Sequence, residues 1–274
     1  MYASTLDDWF FFLAEAKPSS QSALALSNSG QSDDIIFSEV DIITPTQKLL
    51  ARKLTFVVSP NNSLLVTGPN GAGKSSLFRV LGGLWPIASG TLAKPSASVY
   101  SHHKMGLSRE IFYVPQHPYT ALGTLRDQII YPLTLDEAIA KVSQAYKEGD
   151  KEQALQLLDR RLLATLQDVR LVYLLEREGG WDTSVNWEDM LSLGEQQRLG
   201  MARLFFHQPK YGILDECTNA TSVDVEEHLY KLASSMGITV VTISQRPALI
   251  PFHSMELKLV DGEGGWELRS IKPE

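Results

Sequence analysis

Leu64-Leu65-Val66-Thr67-Gly68-Pro69-Asn70-Gly71-Ala72-Gly73-Lys74-Ser75-Ser76-Leu77-Phe78-Arg79-Val80-Leu81 decides the fold. The apolar triplet 64–66 reads as a buried strand, and residues 77–81 have helical spacing. Between them stands G-x-x-x-x-G-K-[ST], in the strand–turn–helix context that this motif requires. Gly68, Gly71 and Gly73 let the backbone of residues 68–76 curl so that successive N–H groups point inward on a polyphosphate. The helix that follows adds the positive end of its dipole. Lys74 is expected to reach the β- and γ-phosphates, and the Ser75 hydroxyl to hold Mg²⁺.

The chain has 274 residues, 43% of them hydrophobic and 21% charged, which is ordinary globular composition with room for one large or two small domains. Its net charge of −7 gives no broad basic footprint, so nucleic acid is not an expected partner. A single cysteine, Cys217, allows no intrachain disulfide. It reads as a small buried hydrophobe. No run approaches the ~20 apolar residues of a membrane span. Trp9-Phe10-Phe11-Phe12-Leu13 is too short, and Asp7, Asp8 and Glu15 oppose an anionic membrane surface, so it reads as a short packing helix.

Working outward, residues 1–34 read as a flexible segment and linker, rich in Ser, Gln, Asn and Asp from 17 onward. A folded domain spans about 35–270, with 271–274 as a tail. Ile35–Phe37, Val40–Ile43 and Leu54–Val58 read as strands separated by Thr-Pro and Ser-Pro-Asn-Asn turns. Residues 93–110 read as a polar loop in which His102 and His103 are solvated. Ile111–Val114 is a strand ending at Pro115-Gln116. Residues of about 117–190 repeat apolar positions at helical spacing with no clear strand, which reads as a helical insertion. Its leucines 155, 157, 158, 162, 163 and 166 are its core, and Lys147–Lys151 is a solvated turn. After 191 the α/β pattern returns: helix 195–207, strand 211–214, helix 223–236, strand 238–243 and a hairpin of 257–260 with 266–269.

Asp215 and Glu216 close an apolar strand. That strand is expected beside the one feeding the phosphate loop. Asp215 would then orient Mg²⁺ through its water shell, and Glu216 would polarise a water for in-line attack on the γ-phosphate. An Asp-Glu pair alone would read as a solvated turn; the phosphate loop upstream decides for chemistry. Ser192 and Glu195 match the S-x-x-E capping box of a helix start, and that glycine-flanked N-terminus is also an anion site.

These parts occur in a known order. A phosphate loop, Gln116 after a strand, a helical insertion, Leu191-Ser192-Leu193-Gly194-Glu195-Gln196-Gln197-Arg198, a strand ending Asp-Glu and a late apolar strand together resemble the nucleotide-binding domain of ABC proteins. Finer strings resemble the peroxisomal fatty-acyl transporters, subfamily D, and among them the second such domain of the plant full-length transporters. These strings are Ser76–Pro86, Arg126-Asp127-Gln128-Ile129-Ile130-Tyr131-Pro132, Glu178-Gly179-Gly180-Trp181-Asp182, Asp215-Glu216-Cys217-Thr218 and Asp261–Trp266.

The resemblance implies a phosphate-loop α/β fold with a mainly parallel sheet, an N-terminal antiparallel β part and an inserted helical subdomain. It implies a dimer in which each ATP lies between one domain's phosphate loop and the partner's signature, so Ser192 and Gly194 would contact the γ-phosphate bound to the partner. Gln116 would sense Mg²⁺ and the γ-phosphate and relay to transmembrane domains, whose docking surface would lie near residues 116–123. Asn219-Ala220-Thr221-Ser222 would cross between the two sites.

The chain departs from that pattern at four places. Leu193 replaces a glycine, Gln245 replaces a histidine that contacts the γ-phosphate, and Ser222 replaces an aspartate. Thr44 and Pro45 stand where an adenine-stacking aromatic is usual, leaving Ile43 and Pro45 to pack on adenine. Glutamine can donate an N–H but carries no positive charge. Gln245 belongs to the site on this loop and Leu193 to the site on the partner's, so asymmetric weakening and slow hydrolysis by the isolated domain are expected. The leading function is an ATPase, with Mg²⁺, powering fatty-acid or acyl-CoA import at the cytosolic face of the peroxisomal membrane. The alternatives are an ATP-gated dimerisation module that regulates a partner cassette, and a soluble cassette acting on nucleic acid, which the acidic charge disfavours.

Overall fold

Ile35–Ile43 (β1) and Leu49–Val58 (β2) form an antiparallel hairpin in the computed structural model, which describes residues 33–95, 110–143 and 151–271. Expectations for residues 1–32, for His102 and His103, for 147–150 and for 272–274 lie outside the described residues. The sequence read β1 as two strands. It is one strand whose inward alternation (Ile35, Phe37, then Val40, Ile42) skips a residue at Glu39. Glu39 takes a positive φ of 52° and the register shifts there, so a bulge keeps both halves' apolar faces inward. β2 begins five residues before the expected Leu54, because exposed Arg52 and Lys53 mask its pattern. Thr44 caps the turn, its N–H donating to Lys48 O at 2.9 Å and its Oγ1 accepting from Lys48 N at 3.0 Å. Thr91–Ala93 (β4), a strand that the sequence reading did not assign and that ends where the expected loop begins, pairs with the other side of β1. Phe37 and Phe56 stack at 4.6 Å between centroids beneath this sheet.

The second sheet contains Leu64–Thr67 (β3), Ile111–Val114 (β5), Tyr211–Asp215 (β6), Thr239–Ile243 (β7), Met255–Leu259 (β8) and Trp266–Ser270 (β9). Among the described residues its order is β5-β6-β7-β3-β8-β9. The β6–β7, β7–β3 and β3–β8 pairs are parallel, and β8–β9 is the expected antiparallel hairpin. One expectation is corrected. The strand ending in Asp215 does not adjoin β3; β7 lies between them. β7 is buried throughout and rich in β-branched residues, so it offers a ladder and an apolar face to both neighbours. Val66 and Asp215 both pair with Ile243, which sets Asp215 level with the end of β3 and two strand spacings away, about 10 Å.

The chain divides into two compact units. One holds both sheets and the helix Lys74–Leu81 (α1), whose Leu77, Phe78, Val80 and Leu81 are buried in its core. The other runs over Val114–Gln208 and Glu216–Met236. It holds Leu125–Ile130 (α2), Leu135–Ser143 (α3), Lys151–Asp168 (α4), Leu174–Arg177 (α5), Trp187–Met190 (α6), Leu193–His207 (α7) and Val223–Ser235 (α8). Leu158, Leu162 and Leu166 of α4 are fully buried at i, i+4, i+8, whereas Leu155, Leu157 and Leu163, read with them as core, are only partly buried. Buried Arg126 is clamped by Asp159 (2.6 and 2.9 Å) and by Asp182. Trp187 is buried and donates its Nε1–H to Gly123 O at 2.8 Å. No helix among the described residues is long and apolar enough to cross a membrane.

Each unit buries a histidine. His253 lies between Leu249 O (2.7 Å) and Thr242 Oγ1 (2.8 Å), and His207 Nε2 lies 2.8 Å from Tyr131 O. Burial pushes both imidazoles down to about 4, with Lys141 adding to the effect at His207. Unfolded imidazoles take up protons near pH 6.5, the folded ones only near 4. The stability each contributes is therefore complete above about pH 6.5 and is lost as pH falls towards 4, by roughly 3 kcal/mol per site. Urea midpoints measured from pH 7.5 to 4.5 are expected to fall. A His253→Gln variant with an unchanged slope across that window would contradict the assignment for His253.

Candidate nucleotide-phosphate site

The phosphate loop leaves β3 and enters α1 through residues 68–73. Gly68, Gly71 and Gly73 have φ of 138°, 83° and 101°. At Gly68 there is a second demand. A Cβ there would stand 2.3 Å from the backbone oxygen of Leu259, at the end of β8. Gly262, in the β8–β9 turn, packs on Gly71 and Ala72 of the loop. Asp261 Oδ1 shapes that turn by accepting from Glu263 N (2.8 Å) and Gly265 N (3.2 Å). The β8–β9 hairpin thus backs the loop, a role that the sequence signals only through its glycines.

Lys74 is 7% exposed, and its Nζ donates to Gly68 O (2.8 Å) and Pro69 O (3.0 Å). The ammonium lies in the curl of the loop. Gly73, the N-cap of α1, is left-handed and supplies no side chain to the first helical N–H groups. The loop therefore presents an ammonium and backbone donors to one place, which fits a polyphosphate. Ser75 is exposed at the first turn, while Ser76 is buried beneath it. Pro69 and Asn70 are exposed on the rim. Gln245, just past β7, donates its Nε2–H to Asn70 Oδ1 at 2.9 Å, which sets it against the loop. Ile43 and Pro45 lie at the tip of the β1–β2 hairpin, half-buried and exposed respectively. The same hairpin touches the loop through Leu50, whose Cβ is 2.9 Å from where a Gly73 Cβ would be.

Asp215 accepts a hydrogen bond from Tyr113 Oη at 3.0 Å, and the Tyr113 ring meets Phe78 of α1 edge-on at 6.3 Å. Sequence reading missed Tyr113; its one signal is a hydroxyl in an otherwise apolar strand. No cluster of three His, Cys, Asp or Glu side chains capable of holding a metal occurs among the described residues. A hard cation fits here only with oxygens from a phosphate beside Ser75 and Asp215.

In the second unit, Glu216 takes a left-handed φ of 47°, an uncommon conformation for a side-chain-bearing residue that clusters at functional sites. Its Oε2 accepts from Gln116 Nε2 (3.2 Å) and Asn219 Nδ2 (3.1 Å). Cys217 behind it is 1% exposed beside Met201, in keeping with its hydrophobic reading. The start of α7 is capped reciprocally: Ser192 Oγ accepts from Glu195 N, and Glu195 Oε2 accepts from Ser192 N at 2.8 Å. Burial pushes the Glu195 carboxyl up, but hydrogen bonds from Ser192, Tyr173 and Arg177 outweigh it and hold the group down at about 2. Ser192 and Leu193 are exposed. Gly194 packs so closely that a Cβ would lie 2.8 Å from Ala220 O. Ser222 is the N-cap of α8 but accepts no bond from a backbone N–H of the helix, its hydroxyl instead donating to Asp224 Oδ1 at 2.6 Å. Leu122, on the segment between Gln116 and Gly123, is 90% exposed.

Comparison with known proteins gives concordant findings. The ABC transporter family profile matches residues 51–219. The chain is 59% identical over 268 residues to ABC transporter D family member 1 of Arabidopsis thaliana, covering 96% of this chain and 20% of that one. It is 45% identical over 241 residues to ATP-binding cassette sub-family D member 3 of Homo sapiens, covering 87% of this chain and 32% of that one. It is 39% identical over 242 residues to the human protein called lysosomal cobalamin transporter ABCD4, covering 87% and 36% respectively. The chain thus spans about a third or less of these relatives. Among solved structures, a bacterial Atm1-family ABC exporter with ATP bound superposes with a TM-score of 0.67 at 21% identity, covering 86% of this chain and 39% of that one, a likeness of fold.

Proposed function

The chain belongs to the ABC transporter family as an ATP-binding domain like those of its D subfamily, whose cassettes hydrolyse ATP, and from that premise we propose that it powers the import of fatty acids or fatty acyl-CoA from the cytosolic face of the peroxisomal membrane. In this reading residues 68–76 cradle the triphosphate and Lys74 neutralises its β- and γ-oxygens. Ser75 and Asp215, with Gln116, hold Mg²⁺, whose charge would offset the charge building on the phosphate oxygens. Glu216 takes the proton of the attacking water. Adenine packs on Ile43 and Pro45. Ser192 and Gly194 complete the site on a second cassette, and transmembrane domains dock on the exposed segment around Leu122.

The observation that supports a hydrolytic site most strongly is the held carboxylate: strained Glu216, two amides on one of its oxygens, covalently next to an Asp215 that is level with the loop strand. A second reading, an ATP-gated dimerisation module with little turnover, is favoured by Gln245, whose amide donor is engaged by Asn70 and brings no positive charge.

The cargo is tested with the full-length transporter that carries this domain, reconstituted in liposomes. Acyl-CoA is expected to stimulate its ATP turnover and to be taken up in an ATP-dependent manner. Because one relative is named a lysosomal cobalamin transporter, cobalamin is the informative competitor. Stimulation by cobalamin and not by acyl-CoA would overturn the cargo assignment.

A further inference from the structure

Gln197 lies three residues beyond Gly194 on α7 and is 1% exposed. Its Nε2 donates to the backbone oxygen of Gln116 at 3.1 Å, and its Oε1 accepts from the backbone N–H of Ala220 at 2.8 Å. Each backbone segment so gripped carries one of the amides that reach Glu216. Gln116 Nε2 and Asn219 Nδ2 both donate to Glu216 Oε2, at 3.2 and 3.1 Å. The contacts close a ring from Glu216 through Gln116, Gln197, Ala220 and Asn219 back to Glu216, and every member lies in one compact unit.

The ring has a chemical consequence. Both donors converge on Oε2, which leaves Oε1 as the oxygen to take a proton. Glu216 is in a left-handed backbone conformation that is strained for a residue with a side chain and persists only when its surroundings hold it. The first half of α7 supplies that hold twice. Gly194 lets the helix approach Ala220 O, where a Cβ would stand at 2.8 Å, and Gln197 ties the same residue by its N–H. A buried glutamine satisfied at both ends by main chain fixes its two partners relative to each other with little freedom.

We propose that Gln197 is a positioning residue for ATP hydrolysis, aligning Glu216 by pinning the two loops whose amides hold its carboxylate. This rests on the reading of Glu216 as the base. It assigns a task to a residue that touches neither nucleotide nor metal. It also links the helix that begins with Ser192 and Gly194 to Glu216, so a shift of that helix on its partner's nucleotide is felt at the base.

The test is a double-mutant cycle in the full-length transporter carrying this domain. Gln197→Met keeps volume and removes both polar ends. It is expected to lower kcat roughly ten-fold while the KM and the binding affinity for ATP stay within about two-fold. In a Glu216→Gln background, read by single-turnover assay, Gln197→Met is expected to cost nothing further, because the group it aligns is already gone. A loss of equal size in both backgrounds, or a matching loss of ATP affinity, would mark Gln197 as merely structural and overturn the proposal. Should Gln197→Met not fold, Asn219→Ala removes one donor from an exposed loop; an unchanged kcat there also overturns it. If Glu216→Gln itself keeps full turnover, the base assignment fails first and is seen to fail separately.

Discussion

Replacing Glu216 with glutamine is expected to leave ATP binding intact and to lower steady-state turnover by roughly 10²–10⁴-fold, the usual cost of removing a general base. The substitution is nearly isosteric. Glutamine keeps an oxygen for the hydrogen bonds from Gln116 and Asn219, so the ring around position 216 can persist. What is lost is the ability to accept a proton from water. The phosphate-binding apparatus is carried by residues 68–76 and is untouched, so affinity for a fluorescent ATP analogue should stay within about two-fold. Turnover that survives the substitution would remove Glu216 from the role of base. The alternative of an ATP-gated module would then gain, with Asp215 and Lys74 serving binding alone.

Gly68→Ala is expected to weaken ATP binding by roughly 100-fold or more while leaving the fold cooperative. Two costs act together. The φ of 138° is one that residues with a Cβ rarely adopt, and the new methyl would stand 2.3 Å from Leu259 O, a backbone atom in the hairpin that cannot rotate away. The loop must move off β8, and its inward N–H groups move with it. Lys74 is displaced too, since Gly68 O is one of its anchors. Gly83→Ala is the control. Its φ of 77° carries a backbone cost, but a Cβ there meets nothing within 4 Å and it lies beyond the end of α1. It should lower stability by about 1 kcal/mol without changing ATP affinity. Equal affinities for the Gly68→Ala variant and the native chain, by isothermal titration, would show that the loop tolerates a Cβ and that its geometry is not what binds.

Much of the site was legible because its signals are local. The phosphate loop and the capping box of Ser192 and Glu195 are contiguous strings read from spacing alone, and the Asp215-Glu216 pair takes its reading from the phosphate loop upstream. What escaped the sequence is long-range or weakly patterned. The place of β7 between β3 and β6 is a matter of sheet order, and no string of residues encodes it. β1 was read as two strands because a bulge at Glu39 breaks the alternation that defines a strand. β4 is three residues long and only partly buried, so it carries almost no pattern. Tyr113 and Gln197 act through a hydroxyl and an amide whose partners lie 102 and at most 81 residues away. A polar side chain at an inward position, on an apolar strand or on the buried face of α7, was the only trace either left. The departures at Leu193 and Gln245 are the reverse case: they are plain in the sequence, and the structure adds that Gln245 is engaged by Asn70.

We propose that two of these domains build working ATP sites from each other's parts. The most direct test is the steady-state ATP turnover of this chain, per molecule, as a function of protein concentration, with Glu216→Gln as the control. If Ser192 and Gly194 of one copy complete the site of another, specific turnover rises with concentration until dimers saturate, and the control abolishes it. Specific turnover that is independent of concentration, yet still lost in the control, would mean that one copy hydrolyses ATP alone and would contradict the shared site. Turnover no higher than the control at any concentration, with ATP bound, would contradict hydrolysis by paired copies of this domain.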